Sequence, residues 1–153
     1  MVSNCARLVR SFRILELPIL VTEQYPQGLG QTVAELREAL GEGEAPLAKT
    51  CFSSCGIEEF RGRLTELHVE HALVCGIETH VCVSQTVHDL LQMGIEVHLA
   101  VDASESRNAI DREVALQKME RSGAILTTSE AAVFEILADA KHPEFRKVQA
   151  LFK

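Results

Sequence analysis

The stretch His71-Ala72-Leu73-Val74-Cys75-Gly76-Ile77-Glu78-Thr79-His80-Val81-Cys82-Val83 joins an apolar run to a segment with a different period. His71 to Cys75 reads as a strand buried in a sheet. Gly76 permits a sharp turn and Thr79 can cap the next helix. Val83, Val87, Leu90 and Leu91 mark one face of that helix, which Gly94 closes. Ile95 to Val101 form the next strand, with Asp102 at its end. A strand, a helix and a second strand at this spacing call for a parallel pair joined by a right-handed crossover.

The pattern repeats on both sides of this unit. Ser3 is placed as the N-cap of a helix over 4–16, whose inner face carries Cys5, Leu8, Val9, Phe12 and Leu15. Pro18 stops it, and residues 19–22 form a short strand. The turn formers of Glu23-Gln24-Tyr25-Pro26-Gln27-Gly28-Leu29-Gly30 come at that strand's C-terminal end, where α/β folds keep ligand sites. Thr32 and Glu35 make a capping-box pair for a helix over 33–41, followed by a polar loop over 41–46, a strand over 47–52 and a helix over 57–66. Beyond residue 101 come a helix over 107–122 ending at Gly123, a strand over 124–127, and a helix capped by Ser129 with Val133, Ile136, Leu137 and Ala140 inward. In the tail, Phe145, Val148 and Leu151 or Phe152 recur at helical spacing, either docking on the domain or forming a contact between copies. The expected fold is α/β: a doubly wound, mostly parallel sheet with helices on both faces, a Rossmann-like three-layer α/β/α arrangement. With no internal repeat, linker or composition break, residues 1–153 are read as one domain.

Composition narrows the function classes. The chain has 153 residues, 46% of them apolar and 24% charged, which is ordinary globular composition. No uncharged apolar run reaches membrane-spanning length, so no membrane partner is expected. A net charge of −7 with no block of Lys or Arg argues against nucleic acid. Five cysteines, an odd number at irregular spacing, indicate a reducing intracellular setting. Cytoplasm is the expected compartment. Arg7, Arg10 and Arg13 with no acid in residues 1–15 suit either a mitochondrial presequence or a helix with a basic polar face.

Two residues stand out chemically. Cys82 falls in the first turn of the helix after the 71–75 strand, where free N–H groups and the helix dipole favour a thiolate and hence a nucleophile. The alternative is a small apolar filler, which is how Cys75 is read. Lys49 lies in the strand Ala48-Lys49-Thr50-Cys51-Phe52 and must project to the ligand rim, where it can supply positive charge to a thiolate, or else sit at the strand edge in solvent. No metal is expected: His68-x-x-His71, His80 with Cys82, and Cys51-x-x-x-Cys55 give no combination with zinc spacing at both halves. Nor is Gly28-Leu29-Gly30 a dinucleotide fingerprint. No cofactor is expected.

Gly76-Ile77-Glu78-Thr79-His80-Val81-Cys82-Val83 resembles the nucleophile motif of the isochorismatase-like cysteine hydrolases, and Lys49-Thr50-Cys51-Phe52-Ser53 and Thr128-Ser129-Glu130 extend the likeness over nearly the whole chain. The resemblance implies an Asp, Lys and Cys triad in which Cys82 attacks a carbonyl or imine-like carbon and Lys49 holds charge beside it. It implies a non-proline cis peptide at Ile77–Glu78, arranging N–H groups, among them that of Cys82, as an oxyanion hole. Gln24 and Tyr25 would line the pocket with Glu78. The metal-dependent nicotinamidases of this family use an Asp and His cluster where this chain has Glu23-Gln24-Tyr25-Pro26, so that activity is disfavoured.

In the family pattern the Asp ends an apolar first strand that precedes the first helix, whereas Asp89, Asp102, Asp111 and Asp139 all lie downstream. The expectation is a chain truncated at its N-terminus, a fragment or variant lacking the first strand, with 19–22 pairing directly with 71–75 as one rescue. The expected function is a cysteine hydrolase of weak or no activity toward a small polar amide, imide or vinyl ether, forming homo-oligomers. The alternative is a catalytically inactive binding or oligomerisation protein of the same fold.

Overall fold

The computed structural model describes residues 1–41 and 45–153; residues 42–44, within the loop expected over 41–46, lie outside them. Helix α1 (Val2–Ile14) turns Cys5, Ala6 and Leu8 into the interior, and Met1, with no side-chain cap bond, takes the N-cap place expected of Ser3. Strand β1 (Thr22–Gln24), a single turn α2 (Pro26–Leu29), helix α3 (Ala34–Leu40) and strand β2 (Leu47–Lys49) come next. A 3-10 turn (Ser54–Gly56) leads to α4 (Glu58–Glu66) and β3 (His71–Ile77). A π-helical turn (Thr79–Val83) opens α5 (Ser84–Gln92). The chain ends in β4 (Glu96–Glu105), α6 (Ala109–Arg121), β5 (Ile125–Thr127), α7 (Ser129–Leu137) and α8 (Phe145–Ala150).

All strand pairs are parallel, and they fall into two sheets, β1-β2 and β3-β4-β5. Helices cover both faces, as expected. On one face α4, α5 and α6 bury Phe60, Leu64, Val87, Leu90 and Met119 against Val97 and Leu99, with Leu20, Leu47, Ala72 and Val74 packed around them. On the other, α1, α7 and α8 bury Cys5, Leu8, Val133, Leu137 and Val148 against Ala100 and Ala103, beside Leu36, Leu73 and Cys75. Each cluster takes residues from the region of both sheets, so the sheets share one middle layer.

Several expectations need correcting. The apolar run 19–21 is not strand: Thr22, Glu23 and Gln24 take the ladder instead, because they stand opposite Leu47, Ala48 and Lys49. The strand expected over 47–52 stops at Lys49, whose ammonium binds the carbonyls of Cys51 and Phe52 and folds the chain back. Thr32 does not cap α3; Val33 holds that position, and the Thr32 N–H goes to Glu23 at 2.6 Å. Thr128 rather than Ser129 caps α7 through the Ala131 N–H. Thr79 makes no cap bond, and its buried hydroxyl has no hydrogen-bond partner among the described residues. Val148 is buried and Phe152 meets the Phe134 ring edge-on, so the tail docks on its own domain.

The 19–22 with 71–75 pairing does not occur. Among the described residues β1 pairs only with β2, and β3 only with β4. One edge of each is therefore free, and Ala72 to Cys75 are half-buried where Val97 and Leu99 of the neighbouring strand are fully buried.

Candidate functional site

The C-terminal ends of β1, β2 and β3 meet at one place. Parallel pairing sets Gln24 opposite Lys49, and the Tyr25 N–H continues the ladder to the Lys49 carbonyl at 2.7 Å. Lys49 is 6% exposed. Its ammonium donates to Gln24 Oε1 at 2.6 Å, Phe52 O at 2.6 Å and Cys51 O at 3.1 Å, which uses all three of its donors. No carboxylate forms an ion pair with it among the described residues. Three neutral oxygens satisfy the hydrogen bonds of a buried cation without cancelling its charge. That charge is left for an anion nearby.

Cys82 is the neighbour. Its thiol donates to the same Gln24 Oε1 at 3.8 Å, so one amide oxygen joins the lysine and the cysteine. The other end of that amide is fixed as well, Nε2 donating to Thr50 O at 2.7 Å. Cys82 is half-buried and sits in the π-helical turn, two residues ahead of α5 rather than in the first turn of a regular helix. The Glu78 carbonyl accepts from both Val81 N–H and Val83 N–H, which tightens this turn. The Ile77–Glu78 peptide is cis.

The remaining candidates divide. Tyr25 has φ of 41° and a half-exposed ring lying over Gly28, where a Cβ would come within 2.2 Å of it. Its place beside Lys49 is thus set by a close approach only glycine tolerates. Glu78 turns its carboxylate to Arg107, which donates from Nε at 2.8 Å and from its backbone at 3.2 Å. Ile77, Tyr25 and Phe52 leave apolar surface exposed. Two surface clefts open elsewhere, one at Val101, Arg112, Leu126 and Ala131, the other at Glu23, Gln31 and Arg37.

Sequence reasoning did not find the residues that latch the two halves together. Ser53 Oγ donates to Asp89 at 2.5 Å, and the Ser54 N–H donates to Thr86 Oγ1 at 2.9 Å. Thr86 in turn donates to the Cys82 carbonyl at 2.7 Å. The Lys49 loop is tied in this way to the helix that carries Cys82. Thr86 and Asp89, three apart on α5, were the available signal, since two polar residues on a helix whose other face is core need partners. Behind β1, Thr32 holds the Glu23 carboxyl below the usual carboxylate range, its hydroxyl first and its N–H second.

None of the four aspartates reaches this site. Asp89 is taken by Ser53, and Asp102 by Ser129 N–H and Oγ and by Asn4 Nδ2. Asp111 accepts from Asn108, and Asp139 from the Lys141 N–H. All five cysteines are free thiols. Among the described residues no helix is long and apolar enough to cross a membrane.

A thiol thus lies beside a buried, uncancelled ammonium on a parallel α/β frame, and the chain belongs to the isochorismatase domain family, whose model matches residues 1–131. It is similar to isochorismatase domain-containing protein 2 of Pongo abelii, 48% identical over 99% of this chain and 72% of that protein. The Homo sapiens protein of the same name is 46% identical over the same shares. Among solved structures, the MAR1 ribonuclease of Caenorhabditis elegans superposes with a TM-score of 0.93 at 46% identity, covering 97% of this chain and 76% of that one.

Proposed function

We propose that this isochorismatase-like hydrolase works through Cys82 as nucleophile, with Lys49 as its electrostatic partner. The observation that carries the reading is the convergence of Lys49 Nζ and Cys82 Sγ on Gln24 Oε1. A thiolate formed there exchanges a hydrogen bond to Gln24 for the field of the lysine. It attacks the electrophilic carbon of a small polar amide, imide or vinyl ether, and the developing oxyanion is met by N–H groups of the 77–82 segment. Gln24, Tyr25 and Glu78 line the pocket. The proton for the leaving group needs an acid, and the four aspartates are engaged elsewhere. Without one, the tetrahedral adduct of an amide expels the thiolate, the better leaving group, and reverts, so steady turnover is expected to be slow.

The test is alkylation. Iodoacetamide near pH 6.5 should modify Cys82 ahead of the other four cysteines, read by peptide mass spectrometry. Equal, slow labelling of all five would leave only a binding or oligomerisation protein. A second reading comes from the 46% identity to a protein named as a ribonuclease. The net charge of −7 weighs against RNA as substrate. Incubation with labelled RNA separates the two, because cleavage lost in Cys82→Ser would replace the amide reading. Homo-oligomerisation belongs to the proposal. Ile110 and Val114, four apart and both exposed on α6, offer an apolar strip for it, and light scattering would report the mass.

A further inference from the structure

At the opposite end of the three-stranded sheet, three side chains that the catalytic reading does not use stand together. The register places His71 of β3 directly opposite Glu96 of β4, and His98 lies two residues further along β4. Side chains two apart on a strand share a face. Val97 and Leu99 point into the α5 and α6 cluster, so Glu96 and His98 face the other way, with Leu73, Cys75 and Ala100. His71 Nδ1 lies 3.1 Å from Glu96 Oε1 and His98 Nε2 lies 3.0 Å from the same oxygen. All three donor atoms fall within 4.8 Å of one another.

We infer that His71, Glu96 and His98 form a binding site for a late divalent transition metal, zinc foremost. Metal–ligand distances of about 2.0–2.1 Å put tetrahedral ligand atoms about 3.3 Å apart. Two of the three separations already have that value to within a few tenths of an ångström, and rotation of one imidazole closes the third. Two imidazoles and one carboxylate suit zinc, nickel or copper and not magnesium or calcium, which take oxygen ligands. The partly exposed site leaves the remaining position to water. The sequence hid the site because spacing pairs His71 with His68, whereas strand register pairs it with residues 25 and 27 positions later. The ion would cross-link β3 to β4 at the end remote from Cys82, fastening a strand that among the described residues pairs only with β4.

The full-length chain, stripped with EDTA and freed of chelator, is titrated with zinc by calorimetry, with magnesium as control. One equivalent of zinc is expected to bind, magnesium is not, and Tm is expected to rise with zinc. His98→Ala and Glu96→Gln should each weaken binding at least about tenfold and abolish the Tm rise. Cys82→Ser should leave both unchanged, and the imidazole nitrogen resonances of His71 and His98 should shift with the first equivalent. Zinc binding that survives both site variants, binding that disappears in Cys82→Ser, or unmoved imidazole resonances would each overturn the inference.

Discussion

Replacing Lys49 with Met removes the one cation bonded to the oxygen that Cys82 also touches, and nearly preserves side-chain volume. Legs of 2.6 and 3.8 Å through that oxygen limit the separation of ammonium and sulfur to about 6.4 Å, and over that distance two unit charges at an effective dielectric of about 20 attract by roughly 2.6 kcal/mol. Sulfur carries about half of a unit negative charge at the alkylation transition state, for a slope of about 0.5, so roughly half of that attraction, about 1.3 kcal/mol, is lost with the lysine. The expected effect is alkylation of Cys82 roughly tenfold slower near pH 6.5. The assay is the pseudo-first-order rate of carbamidomethylation at Cys82, with exposed Cys51 in the same molecule as internal standard. Lys49→Arg keeps the charge and should lose much less. Since Met leaves the carbonyls of Cys51 and Phe52 without their donor, circular dichroism must first show both variants folded. If folded Lys49→Met alkylates within twofold of the parent while Lys49→Arg does the same, the lysine does not support the sulfur and the electrostatic argument is wrong.

Burial pushes the Cys55 thiol up to about 11, and Cys75 is raised by its hydrogen bond with Cys5 and by burial, so both should stay unmodified at neutral pH while the native fold persists; early adducts on either would contradict the packing. Asp102→Ala removes the acceptor that ties Asn4 of α1 to Ser129 of α7, and should cost about 3 kcal/mol in urea unfolding, the upper end for hydrogen bonds to a carboxylate that is half-buried, with little change in Cys82 alkylation. Because the folded Glu23 carboxyl is depressed, its contribution is complete above the unfolded value of about 4.3 and is lost as pH falls through the folded value. Protection of the Thr32 amide should therefore fall on acidification below that range, and Glu23→Gln should remove the dependence. Hydrogen exchange should be fast at those β3 amides that point away from β4 and slow along the central strand β4; uniform protection of β3 would mean that its free edge is paired in solution.

Much of the layer architecture was legible because helix and strand periods are local properties. Phe60 and Leu64, Val87 and Leu90, and Val133 and Leu137 repeat at helical spacing, and all are buried. The meeting of Lys49 and Cys82 at the candidate site was foreshadowed by residue type, a cysteine after a strand-turn and a lysine in a strand that has no other use for one. The gaps are tertiary. The polar Thr22-Glu23-Gln24 is strand only because β2 stands beside it, whereas of the more apolar 19–21 only the Val21 carbonyl reaches β2, accepting from the Leu47 N–H at 2.8 Å. The amide that joins Lys49 to Cys82 comes from Gln24, fifty-eight residues from the cysteine, and no spacing announces such a bond. The π-helical turn was invisible for the same reason, since Thr79 looks like any cap in sequence while its hydroxyl has no backbone partner in the fold.

The divided sheet gives the site an unusual mechanical character. Lys49 and Gln24 ride on one raft of two strands, Cys82 on another of three, and among the described residues no main-chain ladder moors the first to the second. Besides the packing of Leu20 and Leu47 on the α4–α6 cluster, what keeps sulfur and ammonium in register is a few hydrogen bonds, from Ser53 Oγ to Asp89, from the Ser54 N–H to Thr86 and through the Gln24 amide. A small shear between the rafts would part sulfur from ammonium while leaving every helix and both ladders intact, so reactivity can vanish long before anything melts.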